Sequence, residues 1–314
     1  MPFLWLLLLV AGTTFSIQAE PYTLDTPTGT LYGTLEMPQH GSVFPAALII
    51  AGSGPTDRDG NSPLLPGRND SLKLLADSLA SNGIASVRFD KRAIAESAGA
   101  FSKESDLRFE TYIDDAVQWC RKMRADKRFT SLTIIGHSEG SSIGMIASRE
   151  AGADGYISIA GAGRPASDII LNQVQGQLPP DLLNQTKNII EHLQNGEQVG
   201  DVPQVLNSLF RPSVQPYLIS WFRYDPSVEI SKLNIPVLIL QGDTDIQVQV
   251  DDAKRLAQGN SSAKLVVISG MNHVLKTVSN DLQKQQQSYS DPSFPIASEL
   301  ISQIVSFIKN EVKQ

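Results

Sequence analysis

Residues 132–144 have the sequence LTIIGHSEGSSIG, and this stretch decides the fold. Its first residues are apolar and β-branched, which predicts a buried strand. The glycines of the following GHSEG segment indicate a turn too tight for side chains at those positions. The small residues after the turn predict a helix packed close to the strand. A strand, a sharp turn centred on Ser138 and a helix predict a serine exposed above the carboxyl edge of a sheet.

The rest of the chain alternates short apolar runs with helical patterns, which predicts an α/β fold with a mostly parallel central sheet and helices on both faces. Residues 22–25 and 30–36 alternate in polarity and predict an antiparallel hairpin at the sheet edge. Apolar residues at helical spacing predict one helix between Phe109 and Met123 and another that begins at Pro295. The predicted inner strands are residues 46–51, 84–89, 132–136, 156–160, 237–241 and 265–269.

Residues 164–228 contain helical pieces and prolines but no strong strand pattern, which predicts an inserted helical lid. The segment is rich in apolar and aromatic side chains, among them Phe210 and Trp221. These side chains line an acyl pocket in one interpretation and pack the insertion against the main domain in the other.

The N-terminal residues predict export from the cytoplasm. The run from Leu4 to Val10 is apolar and too short to span a bilayer, and small residues follow it up to Ala19. This pattern predicts a signal peptide over residues 1–19 and one domain over residues 20–314, exported to the periplasm or secreted, with no stable membrane insertion after cleavage. A buried N-terminal strand and a retained membrane anchor are the alternatives.

The composition excludes several classes of partner and cofactor. A formal charge of −7, with no block of Lys or Arg, argues against nucleic acid as the main partner. Cys120 is the single cysteine, so no disulfide forms within the chain, and its place on the apolar face of a predicted helix indicates a packed thiol. Because no His/Cys cluster has ligand spacing, we expect no metal and no cofactor.

Four histidines are candidates for the base that activates Ser138. His40 and His192 lie in a turn and in the insertion, and we expect the His137 side chain to point away from the site. His273 follows the last predicted strand, where ligand-facing groups of open α/β sheets gather. The sequence therefore predicts His273 as the general base.

Residues 242–248 follow another predicted strand and contain two carboxylates, Asp243 and Asp245. The pattern Gly-x-x-Asp-x-x-Val resembles the acid loop of α/β-hydrolases, and this resemblance selects Asp245 as the acid and leaves Asp243 to cap the turn. The order Ser138, Asp245, His273 is the α/β-hydrolase order.

Two further stretches are similar to this family. Residues 52–61, GSGPTDRDGN, stand where members often carry His-Gly-x-x, and residues 90–97, DKRAIAES, look like the family's Asp-x-Arg-Gly-x-Gly-x-Ser turn with Ala where Gly is usual. The motifs resemble the branch that holds serine aminopeptidases, monoacylglycerol lipases and bacterial acyl esterases. The resemblance implies the α/β-hydrolase fold and hydrolysis through an acyl-enzyme.

The α/β-hydrolase template also predicts the oxyanion hole. One donor is the backbone N–H of Glu139, and the other lies in the loop after the first inner strand, with Ser53 first and Gly54 second. Arg58 in the same loop binds a substrate carboxylate or, alternatively, forms ion pairs that pack the loop.

The leading expectation is a carboxylesterase for short or medium acyl groups, with a small-molecule acyl ester as substrate. The alternatives are a peptidase or amidase that cleaves short peptides, an acyltransferase or thioesterase that uses the same acyl-enzyme, and a binding protein that kept the fold and lost the chemistry.

Overall fold

The computed structural model describes residues 18–312. Within them a single sheet contains β1 (Gln18–Thr26), β2 (Gly29–Met37), β3 (Phe44–Ile50), β4 (Ala85–Phe89), β5 (Phe129–His137), β6 (Gly155–Ile159), β7 (Val237–Gly242) and β8 (Lys264–Ile268). The α-helices are α1 (Ser71–Ser81), α2 (Phe109–Ala125), α3 (Glu139–Ala151), α4 (Ala166–Gln175), α5 (Pro180–Gln194), α6 (Asn207–Phe210), α7 (Gln215–Trp221), α8 (Pro226–Ser231), α9 (Val250–Gly259), α10 (Leu282–Ser288) and α11 (Ser298–Asn310). Short 3₁₀ turns cover Ala95–Gly99, Glu104–Asp106 and Gln204–Leu206.

The strand order is β1-β2-β4-β3-β5-β6-β7-β8. Strand β2 is antiparallel to both β1 and β4, and every other neighbouring pair is parallel. The predicted mostly parallel sheet with an antiparallel hairpin at its edge is confirmed.

The sheet separates two hydrophobic cores because its side chains alternate between its faces. In β3, Leu48 and Ile50 belong to one core, and Ile49 belongs to the other. Helices α2, α3 and α9 contribute to the first core, and α1 and α11 cover the second, so helices lie on both faces as predicted. Cys120 is fully buried in the first core, where burial raises the pKa of its thiol to about 12.

Two sequence predictions need correction. Strand β8, predicted as an inner strand, forms the sheet edge and leaves Val267 41% exposed. Helix α11 begins at Ser298 rather than at Pro295. The residues before Ser298 stay extended because the Thr277 N–H donates to the Pro295 carbonyl and Ile296 forms a bridge with Lys276.

The segment inserted between β6 and β7 is helical, as predicted, and contains α4 to α8. Its last helix continues to Ser231, three residues beyond the predicted end at residue 228. At its start, Arg164 forms two hydrogen bonds of 2.9 and 2.8 Å with the buried Asp252 of α9. Helix α7 packs against α2, and α8 packs against α3 and α9.

The predicted signal peptide falls almost entirely on residues 1–17, which lie outside the described residues. Ala19, the predicted cleavage residue, pairs with Glu36 in the β1–β2 ladder. None of the helices in residues 18–312 combines the length with the apolar character needed to cross a membrane.

Candidate active site

Ser138 occupies a strained turn between β5 and α3, with φ of 56° and ψ of −121°. The turn brings β5 and α3 so close that a Cβ on Gly136 would lie 2.2 Å from the Gly140 carbonyl oxygen. A Cβ on Gly140 would lie 2.3 Å from the carbonyl oxygen of Ile50 in β3. The predicted need for glycine at both positions is confirmed. The side chain of Ser138 stays partly exposed although its neighbours are buried.

Asp245 and His273 meet at the carboxyl end of the sheet. Asp245 lies in the loop after β7 and His273 in the loop after β8, and His273 Nδ1 lies 2.8 Å from Asp245 Oδ2. Both side chains are buried, since that of His273 is 6% exposed and that of Asp245 is 1% exposed. When the neutral His273 donates Nδ1–H to the carboxylate, its lone pair is on Nε2, the tautomer that accepts a serine proton.

The environment of Asp245 favours its ionised form. Its Oδ1 accepts hydrogen bonds from the backbone N–H groups of Gln247 and Val248, at 2.7 and 3.0 Å. Burial by itself raises the pKa of the Asp245 carboxyl, but His273 and the two backbone donors outweigh burial and hold this pKa below its usual value. The carboxylate is therefore charged at neutral pH and stabilises a positive imidazolium.

Gln241, the penultimate residue of β7, also orients Asp245, although it is not among the site residues predicted from the sequence. Its Nε2 donates to Asp245 Oδ2 at 3.1 Å and to the Val248 carbonyl at 2.9 Å. The side chain is fully buried. The available signal was a polar residue at the end of an otherwise apolar strand directly before the acid loop.

His137 does not point away from the site, and that prediction was wrong. Its Nε2 lies 2.8 Å from the carbonyl oxygen of His273, and the two rings are 4.9 Å apart. The β5–α3 turn therefore contacts the histidine loop directly, through the residue that precedes Ser138. Burial, together with the neighbouring His273, lowers the pKa of His137 to about 3, so its ring is neutral near pH 7.

Two further contacts brace the histidine loop. Asp243 Oδ1 accepts the Gly270 N–H at 2.6 Å, so the second carboxylate of the acid loop ties that loop to the turn after β8. Asn272 donates to Gln285 Oε1 at 3.2 Å and to Ser288 Oγ at 2.7 Å. Gln285 lies in α10 and is buried.

The loop after β3 passes directly beside Ser138. A Cβ on Gly52 would lie 3.1 Å from Ser138 Cβ and 3.5 Å from its Oγ. Ser53 and Gly54, the predicted oxyanion donors of this loop, follow at exposed positions. Glu139 is the first residue of α3, so its N–H has no acceptor within the helix. Both predicted donor segments therefore adjoin the serine.

The predicted substrate-binding residues lie in different environments. Arg58 forms ion pairs with Asp90 and Glu96, which is the packing alternative. Phe210 has no exposed surface, so in this conformation it does not reach a substrate. Trp221 stacks on Phe109 with ring centroids 5.6 Å apart, which joins α7 to α2. Gly54 has φ of 68° and open space around it.

Residues 18–312 contain no group of three His, Cys, Asp or Glu side chains arranged to hold a metal ion.

Comparisons with known proteins agree with this architecture. Residues 65–211 match the family described as serine aminopeptidase, S33. Esterase EstD from Thermotoga maritima is 26% identical over 257 residues, which cover 80% of this chain and 59% of EstD. The chain therefore spans about three fifths of the length of that curated relative.

Two solved structures have the same fold. Est1E from Butyrivibrio proteoclasticus superimposes with a TM-score of 0.60 at 16% identity, covering 93% of this chain and 98% of Est1E. The α/β hydrolase GrgF from Penicillium sp. sh18 gives a TM-score of 0.61 at 16% identity, over 94% and 99% of the two chains. The chain has the α/β-hydrolase fold. Its matched segment resembles the serine aminopeptidase branch, as the sequence motifs implied.

Proposed function

We propose that this protein is a serine hydrolase that cleaves carboxylic esters with short or medium acyl groups through an acyl-enzyme on Ser138. The observation that carries the proposal is the 2.8 Å contact between His273 Nδ1 and Asp245 Oδ2, together with the 2.8 Å contact of the His273 carbonyl with His137, the residue before Ser138. The similarity to EstD, which is an esterase, supports an ester as the substrate class.

In the proposed mechanism, Ser138 Oγ attacks the ester carbonyl carbon while His273 Nε2 accepts the hydroxyl proton. The carbonyl oxygen becomes an oxyanion that accepts hydrogen bonds from backbone N–H groups of Glu139 and Ser53. The bond to the alcohol oxygen then breaks, and His273 returns the proton to that oxygen. Water repeats both steps on the acyl-enzyme, which releases the acid and restores Ser138.

Labelling with a fluorophosphonate tests the nucleophile. We expect one stoichiometric adduct, mapped by mass spectrometry to Ser138, and its loss in the Ser138→Ala and His273→Ala variants. The His192→Ala variant is a matched control, because His192 is exposed and pairs with Glu197 within the inserted segment. Failure of the folded wild-type protein to react would favour a binding protein without catalysis.

A peptidase of the aminopeptidase type is the second candidate, and the match of residues 65–211 to the serine aminopeptidase family favours it. Hydrolysis rates on p-nitrophenyl esters of increasing acyl length and on amino-acid p-nitroanilides with a free amine separate the two. An esterase hydrolyses the esters and leaves the anilides intact. Preferential cleavage of the anilides would replace our proposal with the peptidase.

A further inference from the structure

Lys91 carries a buried ammonium group beside the predicted oxyanion loop. It follows β4, and its side chain is 3% exposed. The Nζ donates a hydrogen bond of 2.6 Å to the carbonyl oxygen of Gly52 and forms an ion pair with the carboxylate of Glu139. Burying a charge is costly unless the charge is paired and hydrogen-bonded, and these two partners supply that compensation.

The contact with Gly52 fixes the direction of the next backbone N–H. The carbonyl of Gly52 and the N–H of Ser53 belong to one peptide group, which is planar and trans, so the two bonds point in opposite directions. When Lys91 holds the carbonyl oxygen, the Ser53 N–H is directed away from Lys91. Glycine at position 52 would otherwise allow this peptide to rotate at little steric cost.

The contact with Glu139 connects the same ammonium to the other half of the oxyanion hole. Glu139 contributes its backbone N–H as the first predicted donor, and its buried carboxylate accepts hydrogen bonds from Lys91 and from Tyr217 Oη, the latter at 2.6 Å. Tyr217 belongs to α7 of the insertion. The network therefore joins the β3 loop, the β5–α3 turn and the inserted helices at one point.

We propose that Lys91 is a positioning residue of the oxyanion hole, which locks the Gly52–Ser53 peptide so that the Ser53 N–H faces the developing oxyanion, with Glu139 as its counter-charge. This inference rests on the proposed function. The negative charge develops on the substrate oxygen only in the tetrahedral state, so Lys91 acts on kcat and leaves KM nearly unchanged.

The rival explanation is that Lys91 only balances the charge of Glu139. The double variant Lys91→Met/Glu139→Gln separates the two, because it removes both buried charges together and also removes the hydrogen bond to Gly52. The single variant Lys91→Met leaves the Glu139 carboxylate buried without its counter-charge, so we expect a large loss of thermal stability. We expect the double variant to recover most of that loss.

Catalysis in the double variant tests the proposal. We expect kcat for a p-nitrophenyl ester to stay about 100-fold below the wild-type value, comparable with the loss of one oxyanion donor, while KM changes by less than about threefold. We expect labelling of Ser138 by a fluorophosphonate to slow in parallel, because the phosphoryl oxygen of the probe occupies the position of the oxyanion. A folded double variant with kcat within about threefold of wild type would overturn the inference.

The single variant Glu139→Gln provides a second measurement that does not need the double variant to fold. It retains Lys91 on the Gly52 carbonyl, so we expect its kcat to exceed that of Lys91→Met at least about tenfold. Equal losses in these two variants would indicate charge balance alone and contradict the inference.

Lys122→Met is the matched control. Lys122 in α2 also donates to a backbone carbonyl, that of Thr23 in the edge strand β1. We expect this variant to lose stability and to keep the wild-type kcat. A wild-type protein that neither labels on Ser138 nor hydrolyses esters would refute the proposed function itself, whereas an active wild type with an equally active double variant would refute only the role of Lys91.

Discussion

The Nε2 of His137 donates a hydrogen bond of 2.8 Å to the carbonyl oxygen of His273. A carbonyl oxygen only accepts, so this contact fixes the His137 tautomer with its proton on Nε2. The residue that precedes the proposed nucleophile thus holds the backbone of the proposed general base. Because His137 stays neutral down to about pH 3, the contact persists through the neutral range.

His137 makes the folded state sensitive to acid. Its pKa is lowered from 6.5 to about 3 in the folded protein, so between these values the unfolded chain binds a proton that the folded chain does not. The stability that His137 contributes is therefore complete above pH 6.5 and falls as the pH decreases towards 3. The His137→Gln variant lacks this titration while its amide still offers a donor.

We expect the free energy of unfolding, measured with urea between neutral pH and about pH 4.5, to fall more steeply in wild type than in His137→Gln, by up to about 1.4 kcal/mol per pH unit. Burial raises the pKa of Asp115 to about 6, which has the opposite sign, but Asp115 is present in both proteins and cancels in the difference. Identical slopes in the two proteins would contradict the assignment.

We expect Gln241 to orient the Asp245 carboxylate without contacting the substrate. Its Nε2 donates a hydrogen bond to Asp245 Oδ2, the same oxygen that accepts the hydrogen bond from His273 Nδ1. We expect Gln241→Leu to lower kcat about tenfold, because one hydrogen bond that orients the carboxylate is lost. Gln241→Glu places a second carboxyl against Asp245, so we expect a larger loss.

Steady-state kinetics with a p-nitrophenyl ester measures both variants. The control is Gln173→Leu, whose exposed side chain in α4 makes only a long 3.5 Å contact with the Gln247 carbonyl. Unchanged kcat in Gln241→Leu would show that the backbone donors of the acid loop suffice to orient Asp245.

The fold could be predicted because it depends on local patterns. The inner strands are continuous apolar runs, and the β5–α3 turn needs glycine at two positions that the motif itself displays. The ends of elements were less predictable, since α11 starts late where Pro295 and Ile296 bond to Thr277 and Lys276, residues of a different loop.

The partners of the candidate site depend on contacts between distant loops. The contacts of His137 with the His273 carbonyl and of Lys91 with the Gly52 carbonyl are each made to a backbone atom. A backbone acceptor leaves no residue type for a sequence pattern to detect. Gln241, a side-chain partner, left a weak signal as a polar residue at the end of an apolar strand.

Two alanines in the turn after β4 are in a conformation that favours glycine. Ala93 has φ of 66° and Ala95 has φ of 44°, and they stand at the two glycine positions of the Asp-x-Arg-Gly-x-Gly-x-Ser turn that residues 90–97 resemble. A left-handed conformation costs a residue with a Cβ about 1 kcal/mol. We therefore expect Ala93→Gly and Ala95→Gly each to raise the free energy of unfolding, by up to about 1 kcal/mol, less the extra entropy of glycine in the unfolded chain.

Urea unfolding at neutral pH measures this effect. Ala257→Gly, within helix α9, is the control and should lower the free energy of unfolding by about 1 kcal/mol. Equal decreases in the free energy of unfolding for Ala93→Gly and Ala257→Gly would show that glycine relieves no strain in the turn.

Gly52 is the position where the smallest addition should damage catalysis. An added Cβ would lie 3.1 Å from Ser138 Cβ and 3.5 Å from Ser138 Oγ, so either the serine or the loop must shift by a few tenths of an ångström. Displacements of this size matter because the nucleophile and the oxyanion donors act at fixed distances from one carbonyl group. We expect Gly52→Ala to lower kcat about tenfold or more and to slow fluorophosphonate labelling of Ser138 in parallel.

Gly99→Ala is the control, since a Cβ there meets no atom within 4 Å, and it should keep the wild-type rate. If Gly52→Ala kept full activity, the loop would move freely beside Ser138, and a hydrogen bond from Lys91 could not be what holds the Ser53 N–H in place.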